Sequence, residues 1–141
     1  MNIRKILVAF DGSASSKKAF RAAVDLAIRL NAVVTTLSVI HVPDFSPSMD
    51  EIEETVDEAE KHFQPLLGEL IDYGQQNKLE IKSVIKRGHP AETIIKYATD
   101  NQIDLIVTGT RGLGGFKKMI LGSIAQKVVS YANTPVMVIR E

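Results

Sequence analysis

Five short apolar runs alternate along this chain with four segments of helical spacing, and that alternation leaves few folds open. Ile6-Leu7-Val8-Ala9-Phe10 is apolar throughout, as a strand covered on both faces of a parallel sheet must be. Val33 to Val42 is rich in β-branched residues and reads as a second strand. Glu80 to Lys86 alternates apolar and polar residues, Ile103 to Thr108 is mostly apolar, and Val136-Met137-Val138-Ile139 closes the series. Between the runs the helical period recurs: Ala19, Phe20, Ala23, Val24, Ala27 and Ile28 over 17–30; Ile52, Val56, Ala59, Phe63, Leu66, Leu67, Leu70 and Ile71 over 49–76; Ile94, Ile95 and Ala98 over 91–101; Ile124, Ala125, Val128 and Val129 over about 122–132. The order β-α-β-α-β-α-β-α-β implies an α/β fold with one doubly wound sheet of five parallel strands, right-handed crossovers and helices on both faces. No linker or internal repeat divides the 141 residues, so residues 1–141 are expected to form a single domain.

Boundary residues refine this outline. Asp11-Gly12-Ser13 ends the first strand, and Ser15 or Ser16 is the expected cap of the helix that follows. Asn31 is its expected stop. Pro43 to Ser48 reads as a loop. Asp50, Glu51, Glu53 and Glu54 crowd the first turns of the long second helical segment, where the helix dipole favours acidic groups. Pro65 interrupts that segment and predicts a kink or two separate helices. Pro90 suits a first helical position after Gly88-His89.

The chemistry concentrates after the fourth strand. Gly109-Thr110-Arg111-Gly112 follows it directly, and Gly122-Ser123 opens the last helix at Ile124. A glycine loop lets backbone approach a ligand closely, and the first amides of a helix lack intrahelical acceptors and attract anions. This arrangement predicts a nucleotide phosphate site. Ligands of open α/β sheets bind beyond the carboxyl ends of the strands, where strand order reverses, so the Asp11 loop and the glycine loop would share one crevice if strands one and four are neighbours. Each residue also has a plainer role. The glycines serve as turn formers, Ser123 as a helix cap, and Asp11 as an acceptor for the amides of Ser13 or Ala14 rather than for ribose hydroxyls. Arg111, Lys117 and Lys118 could draw phosphate, the lysines being ordinary solvated charges on the simpler reading.

Other chemistries find little support. The loop is neither a Walker A sequence nor the dinucleotide fingerprint. With no cysteine, disulfides, thiol catalysis and thiolate metal sites are excluded. A net charge of zero speaks against nucleic acid. No apolar run approaches the roughly 18 residues that span a membrane, and no secretory leader is seen, so a cytoplasmic protein is expected. His41, His62 and His89 stand singly in the sequence without metal-ligand spacing, and no metal set is assigned. Asp104 reads as structural. No catalytic base stands near the loop apart from Asp11, which weighs against a fast enzyme.

The spacing Gly-x2-Gly-x9-Gly-Ser at Gly109, Gly112, Gly122 and Ser123 resembles the ATP-binding motif of the universal stress protein family. The first strand with Asp11-Gly12-Ser13, the segment Gly88-His89-Pro90-Ala91-Glu92, and the last two strands resemble the family in the same order, so the likeness covers nearly the whole chain. It implies a sheet order of 3-2-1-4-5. It implies ATP, with Mg2+ left open, held at Asp11, Val39, Gly109, Arg111, Gly112, Gly122, Ser123 and Ile124: phosphates on the glycine-serine motif, ribose near Asp11, adenine against Val39. It further implies a homodimer through Val136, Met137, Val138 and Ile139, whose uncharged edge would otherwise be exposed, and a nucleotide-dependent role in stress response with a partner that the sequence does not identify. Two alternatives accompany this reading. One is a slow ATPase or self-phosphorylating enzyme using Thr110 or Ser123; the other is an interaction module that binds no nucleotide.

Overall fold

The computed structural model describes residues 1–42, 48–111 and 121–140. Its elements follow the expected alternation: β1 Lys5–Ala9, α1 Ala14–Leu30, β2 Val33–Ile40, α2 Met49–Gln76, β3 Ile81–Arg87, α3 Pro90–Asp100, β4 Leu105–Gly109, α4 Ser123–Tyr131 and β5 Val136–Ile139. The five strands form one sheet in the order β3-β2-β1-β4-β5, and every neighbouring pair is parallel.

Two apolar layers sandwich the sheet, and the period-two alternation of each strand feeds both. Ile6 and Val8 of β1, with Phe10 just beyond it, point to one face, where Phe20 and Val24 of α1 and Phe63, Leu67 and Leu70 of α2 cover them. Leu7 points to the other face, against Ile94 and Tyr97 of α3 and Val128 of α4. The two central strands are almost sealed: Ile6, Leu7, Val8, Ile106 and Val107 are all fully buried. That double burial explains why their sequences are continuous apolar runs rather than alternating ones.

Several boundaries differ from expectation. Ser13, not Ser15 or Ser16, caps α1: its hydroxyl accepts from the Ser16 amide at 3.1 Å. Gly12 turns the chain into that cap with a φ of +87°, a conformation that side chains other than glycine's resist. Asn31 ends α1 in the left-handed region, as expected. β2 stops at Ile40, short of Val42. Pro65 neither splits nor ends α2, which runs unbroken from Met49 to Gln76. The proline lies on the exposed side of the helix, while Phe63, Leu67 and Leu70 hold the opposite side in the core. The loop expected at Pro43 to Ser48 lies, apart from Ser48, outside the described residues; Ser48 is the cap of α2. Among the described residues no helix is long and apolar enough to cross a membrane.

Candidate functional site

Sheet order places the candidate site. β1 and β4 are direct neighbours, paired Ile6 with Leu105 through Val8 with Val107, so their carboxyl ends emerge at the same level. The chain leaving β1 enters α1 on one face; the chain leaving β4 enters α4 on the other. Adjacent strands whose connections diverge to opposite faces open a crevice between the loops, the position where such sheets bind ligands.

The β1 side is a small hydrogen-bonded knot. Asp11 Oδ1 accepts from the Ser13 amide at 2.9 Å, and the Ser16 hydroxyl donates to the Ser13 carbonyl at 2.9 Å. The turn-shaping role of Asp11 is therefore realised. Ser13, Ser15 and Ser16 are all buried. Their part in the site went unread from the sequence beyond the cap assignment, although three hydroxyls within four positions are a visible signal.

The β4 side docks onto this knot. Gly109 ends the strand, and a Cβ there would collide with Ser15 Oγ and lie 2.7 Å from the Ser15 carbonyl oxygen. The missing side chain at Gly109 thus has a cause inside the fold, the close approach of α1. The amide of Arg111 donates to Ser15 Oγ at 3.3 Å. The amide of Gly122 donates to the Thr110 carbonyl oxygen at 2.6 Å, so both ends of the glycine loop meet at one point. Gly109, Arg111 and Gly122 are in this way brought together around buried Ser15 and Thr110, and Asp11 is bonded to Ser13 in the turn that leads to Ser15. Gly112, with Lys117 and Lys118, lies outside the described residues.

The start of α4 differs from the start of α1. Its cap is Gly122, with φ −66° and ψ 162°, which has no side chain to close the helix end, and among the described residues no side-chain cap bond replaces one. Ser123 is the first helical residue rather than the cap that the sequence suggested. Ser123 and Ile124 are exposed at this amino end, where backbone amides and the helix dipole favour an anion. By contrast, Ser13 satisfies α1 from within the chain. Val39 stands one residue before the end of β2, half-buried, and packs with the Leu7 cluster on the α3–α4 face. Among the described residues no three His, Asp or Glu side chains gather to hold a metal.

Asp104 is structural, as expected, but it precedes β4 instead of lying within it. Its Oδ2 accepts from the amides of both Arg4 and Lys5 at 2.9 Å. These two backbone donors, chiefly, hold its carboxyl below the ordinary value of 3.8.

Comparison with known proteins agrees with this architecture. Residues 2–140 match the Universal stress protein family. The universal stress protein YxiE of Bacillus subtilis is 33% identical over 150 residues, covering 96% of this chain and 98% of the relative. The solved structure of universal stress protein UspA from Lactobacillus plantarum superposes with a TM-score of 0.92 at 30% identity, covering 99% of each chain. Two universal stress proteins share the fold at 23% identity: one solved in complex with cAMP, TM-score 0.76, covering 99% of this chain and 98% of its own, and one from Archaeoglobus fulgidus in complex with dAMP, TM-score 0.68, covering 98% of each. Matched along nearly its entire length by the family and by close relatives, and folded as they are, the chain belongs to the universal stress protein family.

Proposed function

We propose that this protein binds an adenine nucleotide, ATP foremost, in the crevice between β1 and β4, and that occupancy governs its association with another protein in a cytoplasmic stress response. The observation that carries the reading is the amino end of α4. Gly122 has no side chain to cap it and is clamped to the carbonyl of Thr110, next to Gly109, so Gly109, Gly122 and Ser123 of the glycine-serine motif lie close to where an anion is favoured. In this reading the phosphates lie on Gly109, Arg111, Gly112, Gly122 and Ser123, with the Ile124 amide beside them. The ribose lies at Asp11 and the adenine toward Val39. The relatives solved with cAMP and dAMP support adenine as the base. Mg2+ would accompany the phosphates, bound through their oxygens and water rather than by a protein cage. A second copy of the chain is expected to pair along β5.

Mass spectrometry of the small molecules released by heat from purified protein tests the proposal. ATP near one per chain supports a nucleotide-gated switch. ADP or AMP alone shifts weight to slow hydrolysis, which turnover by wild type, Asp11→Asn and Ser123→Ala would decide. An empty protein calls for calorimetric titration, with and without Mg2+. Gly122→Val sets a branched side chain at the helix start and should abolish binding; wild-type affinity in that variant would disprove the phosphate position.

A further inference from the structure

The fold brings together two histidines that the sequence keeps far apart. β2 and β3 pair in parallel up to Ile40 with Arg87, and the Gly88 amide donates to the Ile40 carbonyl at 3.0 Å. This bond fixes the two strand exits side by side. His41 follows Ile40, and His89 follows Gly88 at the threshold of α3. Their imidazole rings stand 5.4 Å apart between centroids, with planes inclined at 58°. Both residues are exposed, so an ion could reach them from solvent.

We propose that His41 and His89 form a two-histidine site for a divalent transition metal of the zinc class. Zinc sits about 2.0–2.1 Å from an imidazole nitrogen, so the ring centre is about 3.2 Å from the ion, and a tetrahedral angle between two such rings separates their centres by about 5.2 Å. The observed spacing agrees with that figure. Neutral imidazole suits Zn2+, Cu2+ and Ni2+, whereas Mg2+ and Ca2+ prefer oxygen. Among the described residues no third His, Asp or Glu joins the pair, so the proposal commits to these two ligands alone. The site stands at the exits of β2 and β3, two residues beyond Val39.

The experiment uses tag-free, full-length protein stripped with chelator, then dialysed and titrated with Zn2+ at about pH 7.5, where unperturbed imidazole is mostly neutral. Calorimetry should show one zinc per chain, and the imidazole resonances of His41 and His89 should shift together in NMR spectra. His41→Ala and His89→Ala should each weaken binding at least about tenfold, the loss expected of a direct ligand. His62→Ala should leave it unchanged, and Mg2+ should displace none of the zinc. The resonance shifts in the wild-type protein guard against a variant that merely misfolds. Failure to saturate below about 1 mM zinc, a weak affinity of roughly −4 kcal/mol, would overturn the site and leave the rings as a packed aromatic pair. Undiminished binding in either single variant, or shifts confined to His62, would overturn it equally.

Discussion

A methyl group on Gly109 would collide with Ser15 Oγ and stand 2.7 Å from the Ser15 carbonyl oxygen, so the last residue of β4 is held to glycine by the first turn of α1. Gly109→Ala is expected to destabilise the fold by about 1–3 kcal/mol, the usual cost of overpacking. Ser15→Ala in the same chain should recover only part of that, because the carbonyl remains; urea unfolding of the single and double variants would measure the coupling. Full recovery would mean that the hydroxyl alone sets the limit. Asp104 acts at the opposite end of the same strand pair. Its carboxyl titrates below 3.8 in the folded chain because the Arg4 and Lys5 amides favour the charged form. A lowered folded-state value contributes stability above the unfolded value, and that contribution fades as pH falls below 3.8. Asp104→Asn should therefore be less stable than wild type at neutral pH, with the gap closing in acid. Thermal unfolding at neutral pH and at about pH 3, below the unperturbed aspartate value, would show it; a gap independent of pH would assign the loss to packing instead.

At the scale of elements, α2 is where local preference and tertiary packing disagree. Pro65 removes one hydrogen bond from the middle of the helix, yet Val56, Phe63, Leu67 and Leu70 are buried along one side and hold it together. Pro65→Ala should restore the bond and stabilise the protein by about 1–3 kcal/mol, the proline penalty less the entropy that proline removes from the unfolded chain. Chemical denaturation would measure the gain; a loss would show that the proline shapes the helix to its neighbours. The sequence displays the strands and helices because burial on two faces and burial on one leave different periodicities. Their ends depend on partners elsewhere. Ile103 and Asp104 extend an apolar run that reads as strand, but the Ile103 amide bonds to the Ala98 carbonyl at the end of α3 and Asp104 bonds to the start of β1. The cap of α1 was likewise ambiguous among serines until Gly12 set the phase of the turn. Gly109, Arg111 and Gly122 are legible as a candidate site because their spacing lies within one crossover. Ser15 beneath them and the meeting of His41 with His89 are not, since both need the register of distant strands.

For the whole molecule, the open question is what covers β5. The strand occupies one margin of the sheet, paired to β4 through Ile106 with Val136 up to Gly109 with Ile139. Val136, Val138 and Ile139 are only half-buried, and Met137 is 39% exposed. An apolar strand margin with unpaired backbone groups is prone to add another strand, and closed two-fold pairing is the commonest way to end such growth. The proposed homodimer supplies that closure. Val138→Lys would set a charge on each copy within the proposed contact, where its desolvation opposes pairing, and lysine on a margin strand is a natural device against it. The variant should sediment as a monomer at micromolar concentration while its circular dichroism stays native. An unchanged dimer would exclude β5 as the contact. The proposed crevice draws its residues from β1, β4 and the start of α4 of one chain, so the monomeric variant should bind ATP as wild type does. Lost binding with native folding would instead mean that the second copy completes the site.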